Sequence, residues 1–316
     1  MENNIKLSVI IISYKQRKYI KEAINSVLNQ KVNFKYELLL ADDCSQDGTL
    51  EIMREYEKKY PDVVRVLERK ENLGGANNSF NALCNANGKY ITCLEGDDYW
   101  CNENKLQLQY DFLETHPDFC AVSHLQEGRN LKGEFQGNFP VGIHKDKIID
   151  DIQQYINSDV SFSVSATMYT NFLKDNTLRK KYDKIRRFDS LIGDAQMNIF
   201  LLTIGKVYIM SKPMMVYRMR NNDGNSNFNS SHSVNEIEYR YMNIYIQLEK
   251  FYGERYSFYK KIKKNYTLGV VYDICKLKFN DIKNFNKLCP KKYKFKIWIF
   301  FPFTCINIIY KRFIKK

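Results

Sequence analysis

The chain has 316 residues, with 49 Lys or Arg against 36 Asp or Glu, and its formal net charge is +13. This length holds one α/β domain of ordinary size with an additional region, and it argues against two large independent domains. The positive charge is compatible with nucleic acid, an anionic membrane surface or solubility alone. No RNA-binding aromatic signature, helix-turn-helix pattern or zinc-finger spacing accompanies it, so no nucleic-acid partner is expected.

The cysteines and the first residues indicate a compartment. The eight cysteines form no Cys-x-x-Cys pair, and several lie within apolar runs. They are expected to be buried thiols in a reducing environment. The chain starts without the basic region and apolar core of a signal peptide. A cytoplasmic protein is therefore predicted.

Strands and helices alternate in the N-terminal part. Residues 7–12 form a nearly continuous β-branched run, typical of a buried parallel strand. Apolar residues then repeat at helical spacing over 18–29. Further strands are predicted at 37–41, 63–67, 90–94 and 119–123, with helices between them. This alternation indicates an α/β fold with a doubly wound, mostly parallel sheet and helices on both faces.

The second half of the chain is less regular. Residues 125–145 hold four glycines among polar residues and are predicted to be an irregular binding loop. Residues 161–169 and 213–218 resemble strands, and 192–204 resembles a helix. Residues 221–233 are rich in Asn, Ser and Gly and are predicted to be mobile. Long helices rich in Tyr, Lys and Ile are expected from residue 234 onward.

An aromatic segment at 297–310 is interrupted by Pro302 and bracketed by lysines and arginines. At about fourteen residues, it is too short to span a bilayer. Its composition suits the membrane interface. A core helix followed by a solvated tail explains the same residues equally well. Both interpretations stay open.

Carboxylates directly follow two of the predicted strands. Asp42 and Asp43 come after the run at 37–41, and Glu95, Asp97 and Asp98 come after the run at 90–94. Open α/β sheets bind ligands at the carboxyl ends of their strands, and hard divalent cations prefer oxygen ligands, often with phosphate oxygens. The pattern predicts a metal that bridges a nucleotide diphosphate. The alternative for an Asp pair is a polar turn that caps the next helix.

Four motifs occur in a fixed order: SVIIISY at 8–14, DDCSQDGT at 42–49, EGDD at 95–98 and GDA at 193–195. In this order they resemble the family 2 glycosyltransferases of the GT-A fold, over roughly residues 7–218. The resemblance implies an inverting, metal-dependent enzyme that moves a sugar from a nucleotide-diphospho-sugar, expected to be a UDP-sugar. The phrase EGDDYW at 95–100 is similar to bacterial enzymes that build surface polysaccharides. Their usual acceptors imply a saccharide or a lipid-linked saccharide here.

The resemblance also implies roles for individual residues. Tyr14 would pack on the donor base with Ser13 beside it, and Asp43 would accept a hydrogen bond from the base. Asp98 would be a ligand of Mn²⁺ or Mg²⁺, and Asp97 a ligand or a ribose contact.

Asp194 matches the position of the family's catalytic base. An inverting transfer needs a carboxylate that takes the proton of the acceptor hydroxyl while the sugar passes through an oxocarbenium-like state. The alternative for Asp194 alone is that it caps the following helix.

The chain departs from the family pattern at three places. Glu95 stands where a first Asp is common, and its longer side chain moves the carboxylate outward, so direct ligation is expected to rest on Asp98. Asn77 and Asn78 stand where many members carry an Arg that contacts the diphosphate. Met219 stands where many relatives have a His.

We therefore expect a GT-A domain at 1–222, with a nucleotide-sugar-binding half at 1–124 and an acceptor-binding half at 125–222. A C-terminal helical region would follow at 223–316, with a basic aromatic tail that would associate peripherally with the inner face of the cell membrane if the interfacial interpretation holds. Two other classes compete with a glycosyltransferase. One is a catalytically silent sugar-nucleotide or polysaccharide-binding module on the same fold. The other is a nucleotidyltransferase, which would require a Gly-rich loop after the first strand, where this chain has no glycine.

Overall fold

In a computed structural model of the protein, the described residues are 5–158, 160–219, 232–275, 279–294 and 296–297. The chain divides into two units. The first comprises residues 1–155 with 160–225, and the second comprises 156–159 with 226–316. All the candidate site residues lie in the first unit.

A ten-stranded sheet organises the first unit. Its strands are β1 Leu7–Ser13, β2 Tyr36–Asp42, β3 Val64–Leu67, β4 Tyr90–Glu95, β5 Tyr99–Trp100, β6 Phe119–Asn130, β7 Phe135–Phe139, β8 Lys147–Ile149, β9 Met168–Thr170 and β10 Lys206–Met219. The helices up to residue 201 are α1 Ile20–Leu28, α2 Thr49–Lys59, α3 Gly75–Cys84, α4 Lys105–Thr115, α5 Ile152–Asn157, α6 Asn176–Arg186 and α7 Asp194–Leu201.

The strand order is β3-β2-β1-β4-β9-β6-β10-β5, with β7 paired to β6 and β8 paired to β10. β1 is parallel to β2 and β4, β2 is parallel to β3, and β6 is parallel to β10. Because β9 is antiparallel to both β4 and β6, the strands β1, β2, β3, β4, β6 and β10 all point the same way. Their carboxyl ends therefore meet at one edge. The predicted α/β fold with a mostly parallel sheet is confirmed.

The helix α1 shows how the sequence sets this scaffold. Its buried side chains are Ile20, Ala23, Ile24 and Val27, the apolar stripe that the helical spacing predicts. They join a core that includes buried residues of β1 and β2. Burying each of the larger side chains stabilises the fold by about 1.5–3 kcal/mol. The strand ends that carry the polar motifs are thus fixed by a packed interior.

Two segments differ from prediction. Residues 125–145 were expected to be irregular, but β6 continues to Asn130 and pairs with β7 as an antiparallel hairpin. Gly128 is there for packing, because a Cβ atom at this position would lie 2.6 Å from the ring of Phe139. The strand expected at 161–169 is a short 3₁₀ helix, Val164–Ala166, followed by β9.

The helix α6 was not predicted. Its sequence is strongly charged, and only Tyr182 and Ile185 are buried, so it lacks a clear apolar stripe. Asp175 fixes its start by accepting hydrogen bonds from the N–H groups of Thr177 and Leu178.

The described part of the second unit is helical: α8 Val234–Tyr252, α9 Tyr259–Cys275 and α10 Phe279–Leu288. Gly269 of α9 lets α10 approach closely, since a Cβ atom there would lie 2.1 Å from the ring of Phe285. Among the helices of the described ranges, none is both long and apolar enough to cross a membrane. Ile297 is buried, whereas residues 220–231 and the rest of the aromatic tail lie outside the described residues.

Candidate active site

An open cavity of about 260 Å³ lies where β1, β2 and β4 end. It brings together three of the residues predicted to bind the donor, which are Ser13, Tyr14 and Asp43. Tyr14 presents an exposed ring, whereas Ser13 and Asp43 are buried. The lining residues are Ile12, Ser13, Tyr14, Gln16, Asp43, Asn72, Gly74, Gly75, Asn78 and Glu95.

The turn after β1 is held by side chains of the DDCSQDGT segment. The N–H groups of residues 15–17 donate in turn to Ser45 Oγ at 2.8 Å, Thr49 Oγ1 at 3.0 Å and Asp47 Oδ2 at 3.2 Å. Burial acts to raise the pKa of Asp47, but hydrogen bonds from the Thr49 side chain and from backbone N–H groups outweigh it and hold the pKa below its ordinary value. Ser45, Asp47 and Thr49 therefore hold the turn that follows Tyr14, and we call these three residues the turn clamp.

The neighbouring acids Asp42 and Asp43 have different tasks. Asp42 accepts hydrogen bonds from Ser13 Oγ at 3.3 Å and from the N–H of Ser45 at 2.7 Å, and burial raises its pKa. Asp43 lines the cavity, and one of its carboxylate oxygens accepts from the N–H of Leu73 at 2.8 Å. Only Asp43 of this pair borders the space that a ligand would occupy.

Three carboxylates gather at the carboxyl end of β4. Glu95, Asp97 and Asp98 each offer an oxygen, and these oxygens lie within 4.8 Å of one another. Asp97 and Asp98 are buried, and Glu95 is exposed. Burial and then the charges of Asp97 and Glu95 raise the pKa of Asp98 well above its ordinary value. Such an all-oxygen donor set fits a hard divalent cation. Glu95, which was expected to stand further out, contributes an oxygen to the same group.

Arg218, near the end of β10, contacts two of these acidic residues. No role was assigned to it from the sequence. Its N–H donates to Asp98 Oδ1 at 2.8 Å, and its guanidinium donates to the backbone oxygen of Asp97. Asp98 does not cap α4, because the cap residue there is Asn104. One signal could have revealed Arg218: like the acids, it stands at the carboxyl end of a parallel strand.

The asparagines that replace the family's Arg accept hydrogen bonds from arginines elsewhere. Arg69 Nε donates to Asn78 Oδ1 at 3.1 Å, and Arg186 Nη1 donates to Asn77 Oδ1 at 3.0 Å. The Asn78 amide also donates to the backbone of β2. Burial lowers the pKa of Arg69, and the nearby charge of Asp43 acts in the opposite direction. Positive charge thus reaches the start of α3 through Arg69 and Arg186.

Asp194 is the first residue of α7. Gly193 occupies the cap position, and no side-chain capping bond is made, so the capping interpretation of Asp194 is wrong. The Asp194 carboxylate instead accepts a hydrogen bond from the N–H of Val164. Asp194 is exposed as a residue, but surrounding protein atoms limit hydration of its carboxyl group. This desolvation raises its pKa to about 6. Asp194 is not among the lining residues of the cavity.

The strand order, with a site at the carboxyl edge of the sheet, defines an α/β fold of the GT-A class. Residues 8–172, just over half of the chain, match Glycosyl transferase family 2. The chain belongs to this family.

Two sequence relatives show the range of the match. "Uncharacterized protein Rv1520" of Mycobacterium tuberculosis is 30% identical over 217 residues, which are 67% of this chain and 58% of that protein. Poly(ribitol-phosphate) beta-N-acetylglucosaminyltransferase TarS of Staphylococcus aureus is 31% identical over 179 residues, 55% of this chain and 29% of TarS. The chain therefore matches less than two thirds of the length of these relatives.

Solved structures show the same fold. S. aureus TarS 1-349 in complex with UDP-GlcNAc superposes with a TM-score of 0.61 at 19% identity, covering 92% of this chain and 83% of that one. The mannosyltransferase PcManGT from Pyrobaculum calidifontis, in complex with GDP-Man and Mn²⁺, superposes with a TM-score of 0.56 at 12% identity, covering 100% of this chain and 89% of that one. At these identities, the similarity concerns the fold.

Proposed function

We propose that the protein is an inverting, metal-dependent glycosyltransferase that uses a UDP-sugar. The observation that carries the proposal is the cavity bordered by Tyr14 and Asp43. Glu95 lines the same cavity and also belongs to the group of three carboxylates. An aromatic ring, an acceptor for a base and a metal-binding acid group are the components that a nucleotide diphosphate requires. The UDP-GlcNAc complex of TarS supports uridine as the nucleoside.

In this proposal, residues 1–124 bind the donor. Tyr14 stacks on the base with Ser13 beside it, and Asp43 accepts a hydrogen bond from the base. Asp98 and Asp97 would hold Mn²⁺ or Mg²⁺, and the Mn²⁺ complex of PcManGT supports this choice of ion. When bound, the metal would neutralise charge on the leaving diphosphate.

Asp194 acts as the general base. Its pKa of about 6 keeps it mostly ionised at neutral pH, while making it a stronger base than an ordinary aspartate. The carboxylate takes the proton of the acceptor hydroxyl as that oxygen bonds to the anomeric carbon. The bond from this carbon to the diphosphate breaks in the same displacement, and the electron pair leaves with the diphosphate. The configuration of the sugar is therefore inverted.

The acceptor is proposed to be a saccharide or a lipid-linked saccharide of a bacterial surface polymer. This chain is similar in sequence to TarS, whose name gives poly(ribitol phosphate) as its substrate. That similarity supports a surface polymer as the acceptor. Residues 125–222 would bind the acceptor, because they include Asp194 and the β6–β7 hairpin.

The direct test is a donor screen with purified protein and Mn²⁺. Release of free nucleotide is followed for each common nucleotide sugar, with Asp98→Asn as the matched inactive variant. Turnover of one UDP-sugar by the wild type alone is expected. Binding of the sugar nucleotide without any turnover, with or without added acceptors, would favour the silent binding module instead.

Peripheral association with the inner face of the cell membrane is proposed from the sequence of the aromatic tail. A chain truncated after Ile297 keeps the buried Tyr293 and Ile297. It loses residues 298–316, which hold most of the aromatic residues of the tail. It should leave anionic liposomes that the full chain binds, because aromatic burial and about 1 kcal/mol for each Lys or Arg would supply the binding. If the truncated chain unfolds or precipitates, the tail belongs to the core and the membrane role is wrong.

A further inference from the structure

The guanidinium of Arg218 is fixed on several sides. One nitrogen donates to the backbone oxygen of Asp97, and another donates to Glu22 Oε2. The guanidinium carbon lies 5.1 Å from the ring centre of Tyr19 and 4.7 Å from that of Tyr99. The Arg218 side chain is only 13% exposed, whereas Glu22 is 55% exposed.

This arrangement links α1 to the proposed metal site. A planar guanidinium with two directed hydrogen bonds and two flanking rings has little freedom to rotate. The N–H of the same residue donates to Asp98 Oδ1. Any shift of Arg218 therefore moves a bonding partner of both Asp97 and Asp98. Glu22 lies outside every motif that the family resemblance uses.

We propose that Glu22 is a positioning residue for the metal-binding carboxylates and acts through Arg218. The inference rests on the proposed metal-dependent function. Glu22 balances the charge of Arg218 and holds its guanidinium on the Asp97 backbone. Without Glu22, the guanidinium loses one of its two directed hydrogen bonds and its charge is no longer balanced, so it is drawn toward the three carboxylates, where it competes with a divalent ion. A purely structural surface ion pair would affect stability slightly and metal binding not at all.

The experiment measures Mn²⁺ binding directly, by the electron paramagnetic resonance signal of free Mn²⁺ in the presence of UDP. Glu22→Gln is expected to weaken Mn²⁺ binding roughly tenfold, the usual effect of losing a residue that supports metal ligands. The matched control is Glu51→Gln, which removes an exposed acid from the first turn of α2. This control should bind like the wild type. Rates of Glu22→Gln should return to within about twofold of wild type at saturating Mn²⁺, because the chemical step is unchanged.

A second variant tests whether the effect passes through Arg218. Arg218→Lys keeps the charge but loses the two-pronged geometry, so it should also weaken Mn²⁺ binding. Adding Glu22→Gln to Arg218→Lys should then reduce the Mn²⁺ affinity little further, since the two residues act together. Fully additive losses, or Mn²⁺ affinity of Glu22→Gln within about twofold of wild type, would overturn the inference. If the wild type itself binds no Mn²⁺ with UDP, the proposed metal-dependent function is wrong, and the role of Glu22 falls with it.

Discussion

The N–H of Val164 donates a hydrogen bond to the carboxylate of Asp194, at the start of a helix whose cap position belongs to Gly193. This bond favours the ionised form of Asp194, but desolvation is stronger and raises the pKa from 3.8 to about 6. The carboxylate is thus oriented by one donor and still retains affinity for a proton. Those are the properties that a general base requires.

The transfer rate should rise with pH and level off above about pH 6, because in the proposed mechanism only ionised Asp194 accepts the proton of the acceptor. Initial rates between pH 4.5 and 8 at saturating donor and Mn²⁺ measure this profile. A rate that is flat through pH 6 would contradict the assigned base.

Asp194→Asn should reduce transfer by roughly 10²–10⁴-fold while UDP binding stays near wild type. Tyr14→Ala should chiefly weaken UDP binding. Calorimetric titration of UDP against both variants separates these roles. Equal losses of UDP affinity in the two variants would show that Asp194 belongs to the donor site.

Asp194 also has a consequence for stability. Its pKa in the folded protein lies above 3.8, so the folded state binds more protons than the unfolded state between about pH 4 and 6. The contribution of Asp194 to the free energy of unfolding therefore falls as pH rises through this window. At neutral pH, the ionised Asp194 lowers the stability of the folded protein. Asp194→Asn should melt above the wild type at pH 8, and the difference should shrink at pH 4. Thermal melts at both values measure this, and a difference that grows at pH 4 would contradict it.

Asp98→Asn should lower turnover by roughly 10²-fold or more without unfolding the protein, because it removes one of the three clustered carboxylates that are proposed to hold the metal. Asp62→Asn, at an exposed position away from the site, is the charge-matched control. Rates with and without EDTA complete the test. Full activity in EDTA would remove the metal from the mechanism.

Gly96→Ala should destabilise the protein by about 1–3 kcal/mol, since the added methyl has no room. A Cβ atom there would lie 2.3 Å from Gln16 Oε1, which must move away, and also 3.0 Å from Ser13 Cβ and 3.1 Å from Ile20 Cδ1. Gly75→Ala is the control, because nothing lies within 4 Å of its added Cβ. Urea unfolding of both variants compares the two positions. Equal stability would mean that the turn after β1 yields easily.

The N-terminal half of the fold was predictable because its signals are local. Apolar runs and the stripe of α1 define β1, β2, β4 and their crossovers, and these strand ends bring Asp43 to the cavity and Asp98 to the group of three carboxylates. The contact between Arg218 and Asp98 was not predictable in this way. It depends on β10 lying beside β5 and β6, and these strands are far from β10 in the sequence, so no local period encodes their pairing. The β6–β7 hairpin was not predicted, because a glycine such as Gly128 is typical of a flexible loop. In the structure, the missing side chain of Gly128 makes room for the ring of Phe139.

The turn clamp has a consequence for engineering. Three N–H groups of residues 15–17 depend on acceptors supplied by Ser45, Asp47 and Thr49. A graft of the first turn alone, taken from an enzyme with another nucleotide preference, would disturb the fit between these donors and their acceptors. The two segments, 13–17 and 42–49, therefore form a single exchangeable cassette, and chimeras that change the nucleotide should transplant both together.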